Sequence, residues 1–184
     1  MSKKYEGPSM MEELWEYVKM IVFVVVIVFI INNVLLINAR IPSESMEKTI
    51  MTGDRVFGNR LAYMTKDPER FDIVIFKYPD DESQLFIKRI IGLPGDKVEI
   101  IDGKVYINDK ELKSDVYGIT DYIDYPGIAE EPITLGDDEY FCLGDNRPVS
   151  QDSRYKEVGP VKRSIIVGKV WIRIWPLTKF GKVS

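Results

Sequence analysis

The chain has 184 residues, a formal net charge of −4, one cysteine and no histidine. The absence of histidine excludes a Ser-His-Asp triad, a Cys-His pair and any metal site with histidine ligands. The acidic balance and the lack of a basic cluster argue against nucleic acid as a partner. A single cysteine, Cys142, also excludes an intrachain disulfide.

Residues 20–37 form an apolar run that only Asn32 and Asn33 interrupt. As a helix this run would be about 27 Å long, close to the roughly 30 Å of a bilayer core. A buried soluble helix would not be apolar on every face. A cleaved signal peptide would have a shorter apolar region and a better small-x-small site than Ile37-Asn38-Ala39. We therefore predict an uncleaved transmembrane anchor.

The anchor divides the chain into three predicted parts. Residues 1–19 are expected to be a cytoplasmic segment, residues 20–37 the anchor, and residues 38–184 an extracytoplasmic domain of a single-pass plasma-membrane protein. The basic residues on the two sides of the span are balanced: Lys3, Lys4 and Lys19 precede it, and Arg40, Lys48 and Arg55 follow it. The positive-inside rule therefore does not decide the orientation, and the outside placement rests on the function that the motifs after the anchor imply.

From Arg55 onward the sequence is typical of antiparallel β structure. Segments rich in Val, Ile and Phe are separated by Gly, Pro and Asp; they cover residues 55–59, 71–78, 85–91, 97–101, 104–107, 139–143 and 165–175. Asp102-Gly103 is a strong hairpin signal. Residues 114–135 have weak periodicity and are interpreted as a variable excursion from the core. These features predict an antiparallel β domain on a single membrane helix.

Two serines one residue apart, Ser43 and Ser45, follow the anchor directly. Pro42 removes a backbone donor and favours a bend at this point. Taken alone, such serines are typical of hydroxyls that satisfy nearby backbone groups. If one of them is a nucleophile, the absence of histidine leaves a lysine, a carboxylate or a tyrosine as its base.

The segment 85–91 carries two cations between apolar residues. Alternation places Phe86, Lys88 and Ile90 on one face and Leu85, Ile87, Arg89 and Ile91 on the other. Burial would lower the pKa of Lys88, and a shift from about 10.4 to near 8 corresponds to about 3 kcal/mol. The alternative is a lysine whose stem extends along the sheet to solvent at its edge.

A third unusual segment, residues 144–154, reads G-D-N-R-P-V-S-Q-D-S-R directly after an apolar strand. Its aspartates and arginines can pair with each other or with Arg89, and Ser150 could hold a neutral lysine amine by accepting or donating a hydrogen bond. As an isolated motif, the segment could equally be a charged turn.

Together, three motifs resemble those of type I signal peptidases, which are membrane-anchored serine proteases with a Ser-Lys dyad. They are P-S-E-S-M-E-K-T-I, I-K-R-I-I-G-L-P-G-D-K-V and G-D-N-R-P-V-S-Q-D-S-R. Their order and spacing and the position of the anchor agree, and the resemblance extends from the anchor to Trp171. One departure is Lys48, where the family usually has proline. It places a second lysine near the site, but the carboxylate of Glu47 beside it favours its charged form, so it is not expected to be the base. We therefore expect Lys48→Ala, or Lys48→Pro, which restores the usual residue, to leave most activity.

The resemblance implies a coiled, barrel-like, antiparallel and mainly β catalytic domain with a smaller β excursion over residues 97–138, preceded by one N-terminal transmembrane helix. It implies that Ser45 is the nucleophile and Lys88 the general base. The Ser45 backbone N–H and the Ser43 hydroxyl would stabilise the oxyanion, and Ser150 would orient Lys88. The charged residues expected to hold the site as ion pairs are Asp145, Asp152, Arg89, Arg147 and Arg154.

The implied substrate is the signal peptide of an exported preprotein, cleaved after a small-x-small sequence. The residues predicted to form pocket walls are Ala39, Ile41, Phe86 and Ile87. No metal, nucleotide or other cofactor is expected. The predicted partners are preprotein signal peptides and the lipid bilayer, and the oligomeric state stays open.

The sequence also allows three alternative interpretations. Ser45-Met46-Glu47-Lys48 matches the S-x-x-K motif of penicillin-binding proteins, but no S-D-N or K-T-G follows and the β-rich surroundings do not favour the required helix. A self-cleaving repressor-type peptidase is disfavoured because the anchor leaves no DNA-binding domain. The third is a membrane-tethered β module without enzymatic activity, in which the serines merely cap a turn.

Overall fold

The structure, a computed structural model, describes residues 10–183. The chain forms two compact units that divide after Leu36. In the first unit, helix α1 spans Met10–Ile30 and continues as a π-helical turn over Ile31–Leu35. Residues 1–9, which belong to the predicted cytoplasmic segment, lie outside the described residues.

The helical segment Met10–Leu35 is apolar enough to cross a membrane. Its 26 residues extend over about 39 Å. The helix begins ten residues before the predicted anchor and ends two residues before the end of the apolar run. The earlier end has a structural reason, because Leu36 and Ile37 lie in strand β1 and the Ile37 side chain is buried in the β domain.

Twelve strands follow among the described residues: β1 (Leu36–Arg40), β2 (Arg55–Asn59), β3 (Ile73–Tyr78), β4 (Asp81–Gly92), β5 (Lys97–Ile101), β6 (Lys104–Ile107), β7 (Lys110–Glu111), β8 (Ile133–Thr134), β9 (Glu139–Leu143), β10 (Val161–Lys162), β11 (Ile166–Trp175) and β12 (Gly181–Lys182). Short 3-10 turns occur at Arg60–Tyr63, Gly127–Glu130, Arg163–Ile165 and Leu177–Lys179.

The strands form two sheets. The larger has the order β1-β2-β11-β3-β4-β9-β10, with β12 paired to β11, and the smaller has the order β7-β6-β5-β8. The pairs from β2 onward are antiparallel. The predicted mainly β fold, with one N-terminal helix and a smaller second sheet, is confirmed.

The two faces of strand β3 contribute to different hydrophobic clusters, and this burial extends to the neighbouring strand β4. Ile75 packs in a cluster with Met46 of the serine segment, whereas Val74 packs in a second cluster with Ile90. In the β3–β4 register, Lys88 lies directly opposite Val74. The backbone of Lys88 therefore lies inside the sheet, next to buried residues, and not at an edge that is exposed to solvent.

The smaller sheet packs against the end of strand β9. Its Val98 and Ile100 share a hydrophobic cluster with Phe141 and Leu143. Strand β9 ends at Leu143, and the polar segment 144–154 begins immediately after it. The second sheet therefore packs next to the segment that carries the third motif.

Candidate active site

Ser45 lies on a tight turn between strands β1 and β2. The turn is closed by a 2.8 Å hydrogen bond from the Ile50 N–H to the Met46 carbonyl, and both of these side chains are buried. The Asn146 N–H donates to the Ser45 carbonyl at 3.1 Å. The hydrophobic core therefore holds the turn through Met46 and Ile50, and the third motif holds it through Asn146.

Lys88 reaches this turn from strand β4. Its Nζ lies 2.8 Å from Ser45 Oγ, although the two residues are 43 positions apart. The lysine is only 4 % exposed. Burial lowers its pKa from 10.5 to about 8, an effect that the nearby Asp152 carboxylate partly opposes. About a tenth of the amine is therefore neutral at pH 7 and about half at pH 8, and a neutral amine can accept the serine proton.

The two other serines of the motifs, Ser43 and Ser150, differ in their surroundings. Ser43 is exposed, and its Oγ lies 3.3 Å from Ser45 Oγ. Ser150 is buried, and its Oγ has no hydrogen-bond partner among the described residues. The hydrogen bond expected between Ser150 and Lys88 is therefore not formed in this arrangement, in which the Lys88 amine contacts Ser45 instead.

The first buried ion pair joins strand β4 to the third motif. Arg89 Nε and Nη2 donate to the two oxygens of Asp145 at 2.9 and 2.8 Å. The Thr49 hydroxyl donates to the same carboxylate at 2.5 Å. Because both charged groups are almost fully buried, this bidentate pair ties together the lysine strand, the serine turn and the loop after β9.

A second buried pair holds the third motif in its folded shape. Arg154 donates to both oxygens of Asp152 at 2.8 and 2.9 Å, and Asp152 accepts the Gly144 N–H at 3.0 Å. Arg154 Nη2 also donates to the carbonyls of Arg147 and Ser150, at 2.7 and 3.2 Å. Hydrogen bonds from this one arginine therefore hold most of the loop 144–154 in its folded shape.

The third buried ion pair was not predicted from the sequence. Arg147 pairs with Asp115 at 2.9 Å, and the ring of Tyr117 covers the Arg89 guanidinium with 3.7 Å to its centroid. The Ile119 N–H donates to the Asp145 carbonyl at 2.8 Å. Residues 114–135, interpreted as a variable excursion, are thus packed on the site itself. Their weak periodicity carried no signal of this contact.

A cleft of about 830 Å³ opens beside Ser45 and Lys88. All four residues predicted to form pocket walls line it: Ala39, Ile41, Phe86 and Ile87. Further lining residues include Leu85, Val149 and Gln151. The cleft therefore runs from strand β1, past the serine turn, to the exposed half of strand β4.

The backbone at Lys48 contradicts one expectation. Its φ is +82°, whereas proline is confined near −65°. Lys48→Pro therefore cannot adopt this turn, and we now expect it to lower activity rather than to leave most of it. The Lys48 amine contacts the carbonyls of Val116 and Gly118 rather than Ser45.

Comparison with known proteins gives a consistent result. A sequence profile described as signal peptidase, peptidase S26, matches residues 14–175. The chain belongs to this family. The resemblance drawn from the three motifs is thereby confirmed, and the protein is a peptidase.

Several relatives of this peptidase carry related names. A probable signal peptidase I-2 of Synechocystis is 38 % identical, with 100 % of this chain and 83 % of the relative covered. Signal peptidase IB of Staphylococcus aureus is 34 % identical, with 93 % and 94 % covered. A crystal structure of a signal peptidase I from Enterococcus faecalis is 37 % identical, covers 56 % of this chain and 97 % of its own, and has a TM-score of 0.47.

Gly144 is the position where a small change should damage the peptidase most. A Cβ there would lie 2.1 Å from Ser150 Oγ and 2.4 Å from the Ser45 carbonyl oxygen. Since a backbone atom cannot yield easily, Gly144→Ala should displace the serine turn and lower kcat/KM by about 100-fold or more. Steady-state cleavage of a short peptide measures this. The control is Gly136→Ala, whose Cβ would come no closer than 3.3 Å to a side-chain oxygen, and its kcat/KM should be near that of wild type. Equal kcat/KM values for the two variants would contradict the close packing at Gly144.

Lys88→Met should stabilise the fold at neutral pH. Because the folded pKa of Lys88 is about 8 and the unfolded value about 10.5, the unfolded chain binds more protons between these values, and stability rises with pH across that window. Below pH 8 the buried lysine costs about 3 kcal/mol. Removing the lysine should raise the free energy of unfolding at pH 7 by up to that amount, with the gain shrinking towards pH 10.5.

Urea denaturation of the detergent-solubilised protein at several pH values measures this difference. Lys162→Met, at an exposed position on strand β10, provides the matched control and should show no such pH-dependent gain. A Lys88→Met protein that is no more stable than wild type at pH 7 would mean that the amine is not penalised by burial.

Proposed function

We propose that this membrane-anchored peptidase removes signal peptides from exported preproteins with a Ser-Lys dyad. Ser45 is the nucleophile and Lys88 the general base. The observation that carries the proposal is the 2.8 Å contact between Ser45 Oγ and an amine whose pKa burial lowers to about 8. The family match and the names of the relatives support the removal of signal peptides as the reaction.

In the first half of the reaction, Ser45 Oγ attacks the scissile carbonyl carbon while its proton passes to the neutral Lys88 amine. The tetrahedral intermediate then collapses. Lys88 gives the proton to the leaving amine, the peptide bond breaks, and the signal-peptide carbonyl remains as an ester on Ser45. In the second half, Lys88 takes a proton from water as the water oxygen attacks the ester carbonyl carbon. The second intermediate collapses, the bond to Ser45 Oγ breaks, Lys88 returns the proton to that oxygen, and the signal peptide leaves with a free carboxyl group.

The oxyanion of the intermediate requires donors beside Ser45. The Ser45 backbone N–H and the Ser43 hydroxyl, whose Oγ lies 3.3 Å from Ser45 Oγ, are the proposed pair. Such donors contribute about 3–4 kcal/mol each in the transition state.

The proposed role of Ser150 begins when Lys88 becomes protonated. Once Lys88 has accepted the serine proton, its ammonium group carries three donors and needs further acceptors. Ser150 Oγ is buried within the third motif and lacks a partner among the described residues, so its free lone pairs suit that demand. We propose that it orients Lys88 during this step rather than before it.

The proposed substrate is an extended segment with small side chains at alternate positions before the cleaved bond. Strand β1 ends the strand order of the larger sheet, and an extended peptide can add to such an edge. Successive side chains then point alternately into and out of the cleft. Ile41, which is buried, and Ile87 narrow the apolar side of the cleft, which favours alanine-sized residues.

The proposed topology follows from the substrate. Residues 20–37, within the apolar helical segment and the start of β1, anchor the protein in the plasma membrane, with residues 1–19 in the cytoplasm. Residues 38–184 form the peptidase domain on the outer side, with residues 97–138 as its smaller β part. Signal peptides emerge at that side during export, so the cleft must lie there to reach them.

Catalysis by the dyad predicts a specific pattern of variants. Ser45→Ala and Lys88→Ala should each lower the cleavage rate by several orders of magnitude, because one loses the nucleophile and the other the base. Ser43→Thr keeps a hydroxyl and should retain most cleavage. Incubating each detergent-solubilised variant with a preprotein, and following the product by gel, distinguishes these outcomes. Persistent cleavage by a folded Ser45→Ala protein would contradict Ser45 as the nucleophile. Absence of cleavage by the wild type would favour a non-enzymatic module.

The topology predicts that the β domain is open to a protease outside the cell. Treating protoplasts of an expressing bacterium with proteinase K should digest the domain while a cytoplasmic marker protein stays intact. If the domain is fully protected until detergent is added, the orientation is reversed.

A further inference from the structure

The turn that carries Ser45 contains an unusual backbone conformation at Lys48. Its φ of +82° lies in the left-handed region, which glycine adopts readily and a lysine does not. Such a conformation is strained and persists only where surrounding contacts hold it. Contacts of the Lys48 side chain therefore have to stabilise this backbone conformation.

The Lys48 amine bridges two distant parts of the chain. Its Nζ donates to the Val116 carbonyl at 3.2 Å and to the Gly118 carbonyl at 3.1 Å, across 68 and 70 positions of sequence. These carbonyls flank Tyr117, whose ring covers the Arg89 guanidinium. We call residues 115–119 the Tyr117 loop.

The Tyr117 loop is fixed to the third motif at both of its ends. Asp115 pairs with Arg147 at one end, and the Ile119 N–H donates to the Asp145 carbonyl at the other. The next residue, Asn146, donates its N–H to the Ser45 carbonyl. The serine turn, the third motif and the Tyr117 loop thus form a closed ring of contacts, and Lys48 supplies its only direct link from the serine turn to the Tyr117 loop among the hydrogen bonds of the described residues.

We propose that Lys48 is a positioning residue, which fixes the Ser45 turn against the Tyr117 loop and so holds Ser45 Oγ at the Lys88 amine. The inference rests on the proposed function, because it concerns the geometry of that dyad. Without the bridge, the turn keeps its buried side chains but loses its outer support, and a shift of about 1 Å breaks the productive alignment of the nucleophile and base. The left-handed backbone at Lys48 directs its side chain to the loop, and the two carbonyl contacts stabilise that backbone.

Four full-length variants in detergent test this, with kcat and KM measured on a short Ala-x-Ala peptide and thermal unfolding measured in parallel. Lys48→Met removes both hydrogen bonds at similar side-chain length, and kcat should fall about tenfold with KM within about twofold, since Lys48 does not line the cleft. Lys48→Arg can still donate to both carbonyls and should restore most of kcat.

The third and fourth variants separate positioning from stability. Lys48→Gly suits a positive φ, so its unfolding temperature should stay near that of wild type while kcat falls as in Lys48→Met. Lys110→Met makes the same charge change at an exposed position on strand β7 and should leave kcat unchanged.

Three results would overturn the inference: a normal kcat in Lys48→Met, an arginine variant as impaired as the methionine variant, or a glycine variant that loses activity only in proportion to unfolded protein. Its failure is separable from failure of the dyad. In the first case Ser45→Ala and Lys88→Ala would still be inactive, whereas active Ser45→Ala protein would remove the proposed function itself.

Discussion

The burial of one lysine amine beside one serine hydroxyl is the constraint on which the site depends. Desolvation is the main reason that the pKa of Lys88 falls to about 8, so the pocket must stay dry around the amine. The cleft must at the same time admit a peptide. Ser45 lies where the two demands meet, since its hydroxyl contacts the amine while both residues line the cleft.

The charged residues around Lys88 serve this same constraint. Unpaired carboxylates at Asp145 and Asp152 would favour the ammonium form and raise the pKa of the lysine. Each is instead held bidentately by an arginine, Arg89 for the first and Arg154 for the second, and the Arg154 charge itself lowers the pKa of Lys88. Arginine suits this role because it stays charged and its fork matches a carboxylate. The paired charges fix the loop while desolvation still dominates at the amine.

The parts that could be predicted from sequence are those set by local pattern. Strands 55–59, 97–101 and 139–143 have the predicted bounds, because alternating apolar residues and turn signals define them locally. Motif resemblance identified Ser45 and Lys88 as the candidate dyad. Packing across the fold could not be predicted in this way. Asp115 and Tyr117 lie in a segment without periodicity, and their contacts with Arg147 and Arg89 are purely tertiary.

The conformation of Lys48 shows the same limit. Sequence comparison with a family that usually has proline there suggested an interchangeable position, yet a φ of +82° excludes proline. That φ coexists with contacts to carbonyls about 70 positions away, which no local pattern encodes. A departure from a family motif can therefore be accompanied by a different local geometry, with its own supporting contacts.

The pH dependence of kcat/KM for a short Ala-x-Ala peptide tests most directly whether a neutral buried lysine is the base. This profile reports the ionisation of the essential base in the free enzyme. With Lys88 as the base, kcat/KM should rise with pH through a single ionisation near pH 8, because only the deprotonated amine accepts the serine proton. A midpoint above pH 10, as for an ordinary exposed lysine, or a profile that is flat from pH 6 to 10, would contradict the account.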